Sequence, residues 1–416
     1  MRDTLDIGVQ MTGIADTLAK HPHEKRREVL GRSAMIALIA FLTLIDLFGS
    51  QAVLPQLVEK FQVSPAAMGV AVNASTIGMA LASLVVAILS RRINRRKGIW
   101  ISLMLLAIPT TLLAFADDVT TFAALRVAQG VFMATAFTLT LTYLSEWCTL
   151  SAMGGVMAAY VTGNVASNLF GRLLATEVAN GFGLAESFIC FAVLNMLGAL
   201  MAFLYFNHRP SAKTGEDQGS VLAAWADHAR NRALWALLAI GFILLFVFVA
   251  TFTYASFVLA SDRFDLSEGT LSLVFLVFIP SIRTTPFAAA AIARKGVSWT
   301  FQLGIFAAVF GLALLVVPWF PSFLLGLTLV AAGLFFAQSV ATYSIRNAVS
   351  HDQAAANGLY LACYYLGGLV GAIVVGQVFN QFGWNVAVGL MLGCVFLASI
   401  LSRVALRRDL QPALSS

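Results

Sequence analysis

Three charged residues lie deep inside long apolar stretches: Asp46 in 34–54, Arg126 in 121–146 and Arg283 in 268–292. A charge in hydrocarbon costs roughly 2.5–3.5 kcal/mol on the insertion scale, so such residues mark proton, ion or substrate pathways. Asp46 sits about 12 Å from the end of its stretch at 1.5 Å per residue, and Arg126 enters its own stretch to a similar depth. Pairing would let both stay charged. Burial and pairing act on the acid's protonation in opposite senses, which is the tension a proton-coupled site needs. The bland alternative is a permanent ion pair that fixes helix packing. Arg283 stands about 16 Å before Arg294, near the middle of a bilayer. Its candidate partners are Asp46, backbone carbonyls or an anionic substrate, and a carboxylate or phosphate matches a guanidinium fork.

Uncharged groups could line a cavity between such charges. Gln51, Asn73, Asn164 and Gln338 fall inside apolar stretches, with Tyr254 and Tyr364 adding amphipathic rings. Few charges and many rings suit an aromatic or amphiphilic substrate; helix–helix packing uses the same residue types. Arg172 and Glu177 are placed near the end of their stretch, where snorkelling or a local pair explains them. Glu146 lies level with Arg91, Arg92 and Arg95, an arrangement that could close a cytoplasmic gate. The four cysteines and five histidines show no metal-ligand spacing, and no Walker loop, Gly-x-Ser-x-Gly or His-Glu-x-x-His occurs. No metal or cofactor is expected, nor an enzyme.

The elements that position these residues are membrane helices. Of 416 residues, 59% are hydrophobic and 11% charged, against roughly 25% charged in a soluble domain. Segments of about 20 apolar residues fall near 34–54, 67–90, 98–116, 121–146, 151–175, 185–206, 233–260, 268–292, 297–318, 321–345, 354–379 and 385–404. With twelve spans, basic residues collect on one side: Lys25, Arg26 and Arg27; Arg91 to Lys97; Arg209, Lys213 and Arg230; Arg294 and Lys295; Arg403 and Arg407. That side is cytoplasmic, with both termini on it. The net charge of +6 therefore reports topology and not nucleic-acid binding. The expected organisation is a cytoplasmic tail (1–33), a six-helix bundle (34–206), a cytoplasmic linker (207–232), a second six-helix bundle (233–404) and a cytoplasmic tail (405–416).

The two halves echo one another at an offset near 200 residues. Gly130-Val131-Phe132-Met133-Ala134 returns as Gly333-Leu334-Phe335-Phe336-Ala337, Tyr160-Val161-Thr162-Gly163 as Tyr364-Tyr365-Leu366-Gly367, and Phe182-Gly183 as Phe382-Gly383. In a membrane protein, such internal repeats point to a transporter with its binding site where the repeats meet.

Arg126-Val127-Ala128-Gln129-Gly130 resembles the Arg-x-x-Gln-Gly signature of the major facilitator superfamily. The stretch 89–97 takes the place of that family's basic loop between its second and third helices. Thr142-Tyr143-Leu144-Ser145-Glu146 and Tyr160-Val161-Thr162-Gly163-Asn164 are similar to its drug:proton antiporters, in the bacterial branch called arabinose-efflux-like. Arg91 stands where the family's loop has an acid, Asn94 where it has a second glycine, and Asn164 where its efflux motif has proline. The resemblance implies an all-α membrane protein with the major facilitator fold: twelve helices in two pseudo-symmetric six-helix bundles. It implies proton-coupled export of a small organic molecule, whether drug, metabolite or sugar-like, by a monomer in the bacterial inner membrane. Its partners are then substrate, protons and lipid. The alternative is a proton symporter or facilitator taking up a small metabolite, anionic ones included.

Overall fold

The computed structural model describes residues 22–89, 93–147, 150–207, 230–261, 263–264, 266, 273–284, 287–349 and 353–406. All regular structure in them is helical. The first half contains α1 (Pro22–Ala52), α2 (Leu54–Phe61), α3 (Pro65–Asn73), α4 (Ser75–Leu89), α5 (Arg95–Leu113), α6 (Val119–Trp147), α7 (Leu150–Gly181) and α8 (Leu184–Asn207). The second contains α9 (Arg232–Ala260), a 3-10 turn (Phe275–Phe278), α10 (Ile279–Thr284), α11 (Phe287–Lys295), α12 (Val297–Leu314), α13 (Phe320–Ala348), α14 (Gln353–Phe382) and α15 (Trp384–Ala405).

Among the described residues, ten helices are long and apolar enough to cross a membrane, with α3 and α4 together forming one of them. The expected fifth span lies within α7, whose 32 residues run past both ends of the stretch 151–175. The expected eighth span is not one helix. The 3-10 turn, α10 and α11 share it. Large side chains such as Phe306, Phe396, Ile400 and Leu204 are more than half exposed, as helices facing lipid require.

Capping residues set where several helices start. Asn94 Oδ1 accepts from the Lys97 amide at the head of α5 (3.2 Å), so the residue replacing the family's glycine supplies an N-cap. Asp118 Oδ1 accepts from the Thr120 and Thr121 amides (2.9 and 2.8 Å) to start α6. Asn231 accepts from the Ala233 and Leu234 amides to start α9.

Helices of each half pack mainly with one another: α1 along α7, α6 with α4 and α5, α5 with α8; then α9 along α14, α12 along α13, and α15 with α9 and α12. The halves meet where α14 packs against α3 and α4, α7 against the 3-10 turn and α10, and α9 against α1, α2 and α3. Two of the sequence echoes have a physical basis here. A Cβ on Gly163 would come within 2.0 Å of the Ala37 carbonyl, and one on Gly367 within 2.0 Å of the Phe242 carbonyl. Both glycines therefore let the fifth helix of their half lie directly on the first. Gly183 and Gly383 have φ of 123° and 80°, a region glycine enters without steric cost, and both turn the chain tightly into the next helix.

Candidate functional site

Two buried polar centres lie in the first half. The first gathers on Asp46, which is 1% exposed. Its Oδ2 accepts from Thr110 Oγ1 of α5 (3.2 Å), Gln129 Nε2 of α6 (3.1 Å) and Asn195 Nδ2 of α8 (3.1 Å). Its Oδ1 has no hydrogen-bond partner. Local sequence helps place these donors. Pro109 interrupts the α5 hydrogen-bond ladder immediately before Thr110, because proline has no amide hydrogen. The single Thr110 hydroxyl proton is shared between the carboxylate and the Leu106 carbonyl (2.8 Å), and the same oxygen accepts from Gln129 Nε2 (2.7 Å) and Asn195 Nδ2 (3.2 Å).

Arg126 is 0% exposed and lies beside this centre. Its Nε donates to the Val72 carbonyl (2.8 Å), Nη1 to Gln129 Oε1 (2.7 Å), and Nη2 to the Leu47 carbonyl (3.3 Å) and Ser75 Oγ (3.2 Å). The direct Asp46–Arg126 pair expected from the sequence is therefore a relay. Gln129, one turn along α6 from the arginine, takes the guanidinium on its oxygen and gives its nitrogen to the carboxylate. The physical reason is competition: the α3–α4 junction and α1 offer backbone and hydroxyl acceptors that saturate the guanidinium first.

The second centre was not legible as a site. Arg172 is 0% exposed and stands nine residues from the end of α7, about 13 Å deep at 1.5 Å per residue. Placing the end of the span at residue 175 had put it near the surface. Its Nε donates to Asn168 Oδ1 (3.1 Å) and its Nη2 to Gln51 Oε1. Gln51 Nε2 donates to Asn73 Oδ1 (2.7 Å), and Asn73 Nδ2 to the Gly69 carbonyl (2.8 Å) and to Thr253 Oγ1 of α9 (3.2 Å). This chain of amides thus crosses from one half to the other. Four rings surround the guanidinium carbon: Phe275 at 4.9 Å, Phe278 at 5.4 Å, Phe252 at 5.6 Å and Phe48 at 5.9 Å. Three of them come from the second half. Glu177, the local partner expected from the sequence, is exposed on α7.

Other candidates sit apart from these centres. Gln338 accepts from the Tyr360 hydroxyl (3.0 Å), and Tyr360 stacks on Tyr364 at 6.1 Å, so Gln338 and Tyr364 belong to one aromatic group between α13 and α14. Asn164 lies two turns before Arg172 on α7, and its Oδ1 has no partner. Tyr254 is 0% exposed. Its hydroxyl donates to the Ala372 carbonyl (2.6 Å), and Gly69 and Gly376 leave room for the ring. The structure places it in a packed seam. Arg283 shares the exposed face of its segment with Leu276, Ile279 and Phe287 and is not brought to either buried centre. Arg91 and Arg92 lie outside the described residues, as does the side chain of Glu146; Arg95 is half-buried at the head of α5. Among the described residues, no group of His, Cys, Asp or Glu is placed to hold a metal ion.

Sequence reasoning passed over Thr110, Asn195 and Thr253 as well. Asn195 had a usable signal, being the one amide side chain between Phe188 and Phe206. Thr110 and Thr253 had none, since threonine bonds its own helix in apolar segments as a matter of course.

Comparison with known proteins gives the same architecture. The family model described as Major Facilitator Superfamily matches residues 36–282. An uncharacterized MFS-type transporter, YybF of Bacillus subtilis (strain 168), is 27% identical over 365 residues, 87% of this chain and 90% of that protein. The inner membrane transport protein YnfM of Escherichia coli (strain K12) is 26% identical over 370 residues, 88% of this chain and 87% of that protein. Among solved structures, a bacterial homolog of the human lysosomal transporter Spinster, inward-facing and occupied, superposes with a TM-score of 0.72 at 13% identity, covering 94% of this chain and 99% of that one. The xylose transporter XylE of E. coli, partially occluded and inward-open, superposes with a TM-score of 0.70 at 15% identity, covering 92% of this chain and 99% of that one. The chain belongs to the major facilitator superfamily and is a multi-pass membrane transporter.

Proposed function

We propose that this transporter is proton-coupled and exports a small organic molecule across the bacterial inner membrane, with twelve spans and both termini in the cytoplasm. The observation that carries the coupling is the asymmetry of Asp46. One carboxylate oxygen gathers donors from three helices while the other has none. A proton can add to the free oxygen without displacing any existing bond. It also removes the negative charge that faces Arg126 through Gln129. Because α1, α5, α6 and α8 all converge on this carboxyl, protonation changes the interactions of four helices at once. A change confined to the first half then biases its packing against the second, the two-state element that alternating access requires.

The test uses proteoliposomes holding the full chain and compounds first found by their accumulation in cells lacking the gene. With an imposed pH gradient, the native protein should move such a compound uphill, outward from the cytoplasmic side. Asp46→Asn should lose uphill transport and keep downhill exchange. Uphill transport that survives Asp46→Asn would sink the coupling role. Uphill movement in the opposite direction would turn the reading to proton-driven uptake by symport.

A further inference from the structure

Among the described residues, Arg172 carries its charge without a carboxylate. Its described partners are two amide oxygens and four phenyl rings. Cation–π contacts contribute roughly 0.5–2 kcal/mol each, so four of them are of the same order as the several kcal/mol it costs to desolvate an ion. The guanidinium also has an unused edge. Nη1 is buried with no acceptor, and so is Nδ2 of Asn168, whose other amide atom already holds Arg172 Nε. These two donors on hydrogen-bonded neighbours are both buried and both unfilled, and a carboxylate is the acceptor that charge and hydrogen bonding favour there. The surroundings match an apolar body: Phe48 comes from the first half, and Phe252, Phe275 and Phe278 from the second.

We propose that Arg172 and Asn168 form the recognition point for the carboxylate of an organic anion with an apolar body, and that the phenyl cage occupies the guanidinium when no anion is bound. This rests on the transporter reading and names its substrate class. The cage explains how such a site can be loaded. Arg172 belongs to α7, and three of the four rings belong to α9 and the 3-10 turn across the seam. Separating the halves on this side withdraws those rings and breaks the Asn73–Thr253 bond, which uncovers the guanidinium edge. Closing the seam around a ligand then sets its apolar body against the same phenyl groups.

The experiment uses purified full-length protein in a neutral detergent, at fixed pH and ionic strength and without any gradient. The melting temperature is followed against sodium benzoate, benzamide and inorganic phosphate. Benzoate should raise it in a dose-dependent way and benzamide, of the same shape but neutral, should not. Arg172→Met should abolish the benzoate response. Asn168→Ala, which leaves the charge in place, should weaken it at least tenfold in half-effect concentration and keeps the test decisive if Arg172→Met misfolds. An equal response to benzamide, an unchanged response in the folded variants, or no response to benzoate overturns the proposal. A response to phosphate but not benzoate overturns the organic carboxylate. This binding assay is independent of Asp46: loss of coupling in the transport assay leaves its outcome untouched, and the reverse.

Discussion

Arg126 and Arg172 are both wholly buried guanidinium groups in the first half of the chain, on neighbouring spans of the sequence, yet the protein treats them in opposite ways. Arg126 spends every nitrogen on oxygen acceptors from its own half, two of them backbone carbonyls, and stands one glutamine away from a carboxylate. Arg172 leaves one nitrogen unused, has no acid bonded to it, and takes most of its wrapping from the other half. A saturated cation with a counter-charge belongs to a fixed framework whose charge balance one proton can alter. An undersaturated cation wrapped by a movable surface has capacity for a ligand.

The largest expected effect separates the two by stability. Arg126→Met strips donors from Val72, Leu47, Ser75 and Gln129 and leaves Asp46 without its cation, a loss of about 3–5 kcal/mol. Arg172→Met strands no acid; it unpairs the buried Gln51 and Asn168 oxygens but also removes a buried charge, so it should cost about 1–3 kcal/mol. Melting temperatures of the two purified variants read the contrast directly; equal losses would erase the distinction. Gln129→Leu should come next, at about 1–3 kcal/mol, because it unpairs both ends of the relay without removing a charge. If it proves neutral in the same melts, Asp46 and Arg126 do not communicate through Gln129. The smallest effect lies outside both centres. The Thr121 hydroxyl, followed by the Thr121 and Thr120 amides, holds the Asp118 carboxyl below its ordinary range. A depressed folded value means that its contribution is present above the unfolded pKa of about 4. It fades as pH falls through the folded value. Asp118→Ala should therefore lower the melting temperature slightly at pH 7, with the gap to the native protein closing on acidification.

How much of this could be read from the residues differs between the two arginines for a physical reason. Asp46 and Arg126 announce themselves because a lone charge in a long apolar run needs a partner, and Gln129 falls in the same signature as Arg126. Arg172 was hidden by a boundary. An apolar window that ends near residue 175 makes it superficial, whereas the helix continues to Gly181 and puts it nine residues from the helix end. Window hydropathy averages away the polar last turns of such a helix. Arg283 poses the opposite problem. Depth along a chain is a one-dimensional quantity and can be counted, but facing needs an unbroken helical phase, and its segment changes from 3-10 to α within a few residues. The glycine echoes were legible as a repeat. Their roles, a helix crossing at Gly163 and Gly367 and a tight turn at Gly183 and Gly383, required the backbone.

The seam at Arg172 also bears on how long each state lasts. The described contacts between the halves there include the 3.2 Å hydrogen bond from Asn73 to Thr253 and ring contacts such as Phe48 with Phe248. Each contributes on the order of 1 kcal/mol. Where two states differ by a few kcal/mol, the minor one stays populated at about 0.1–10%. A ligand or a proton has only to shift occupancy between two states that are already in exchange.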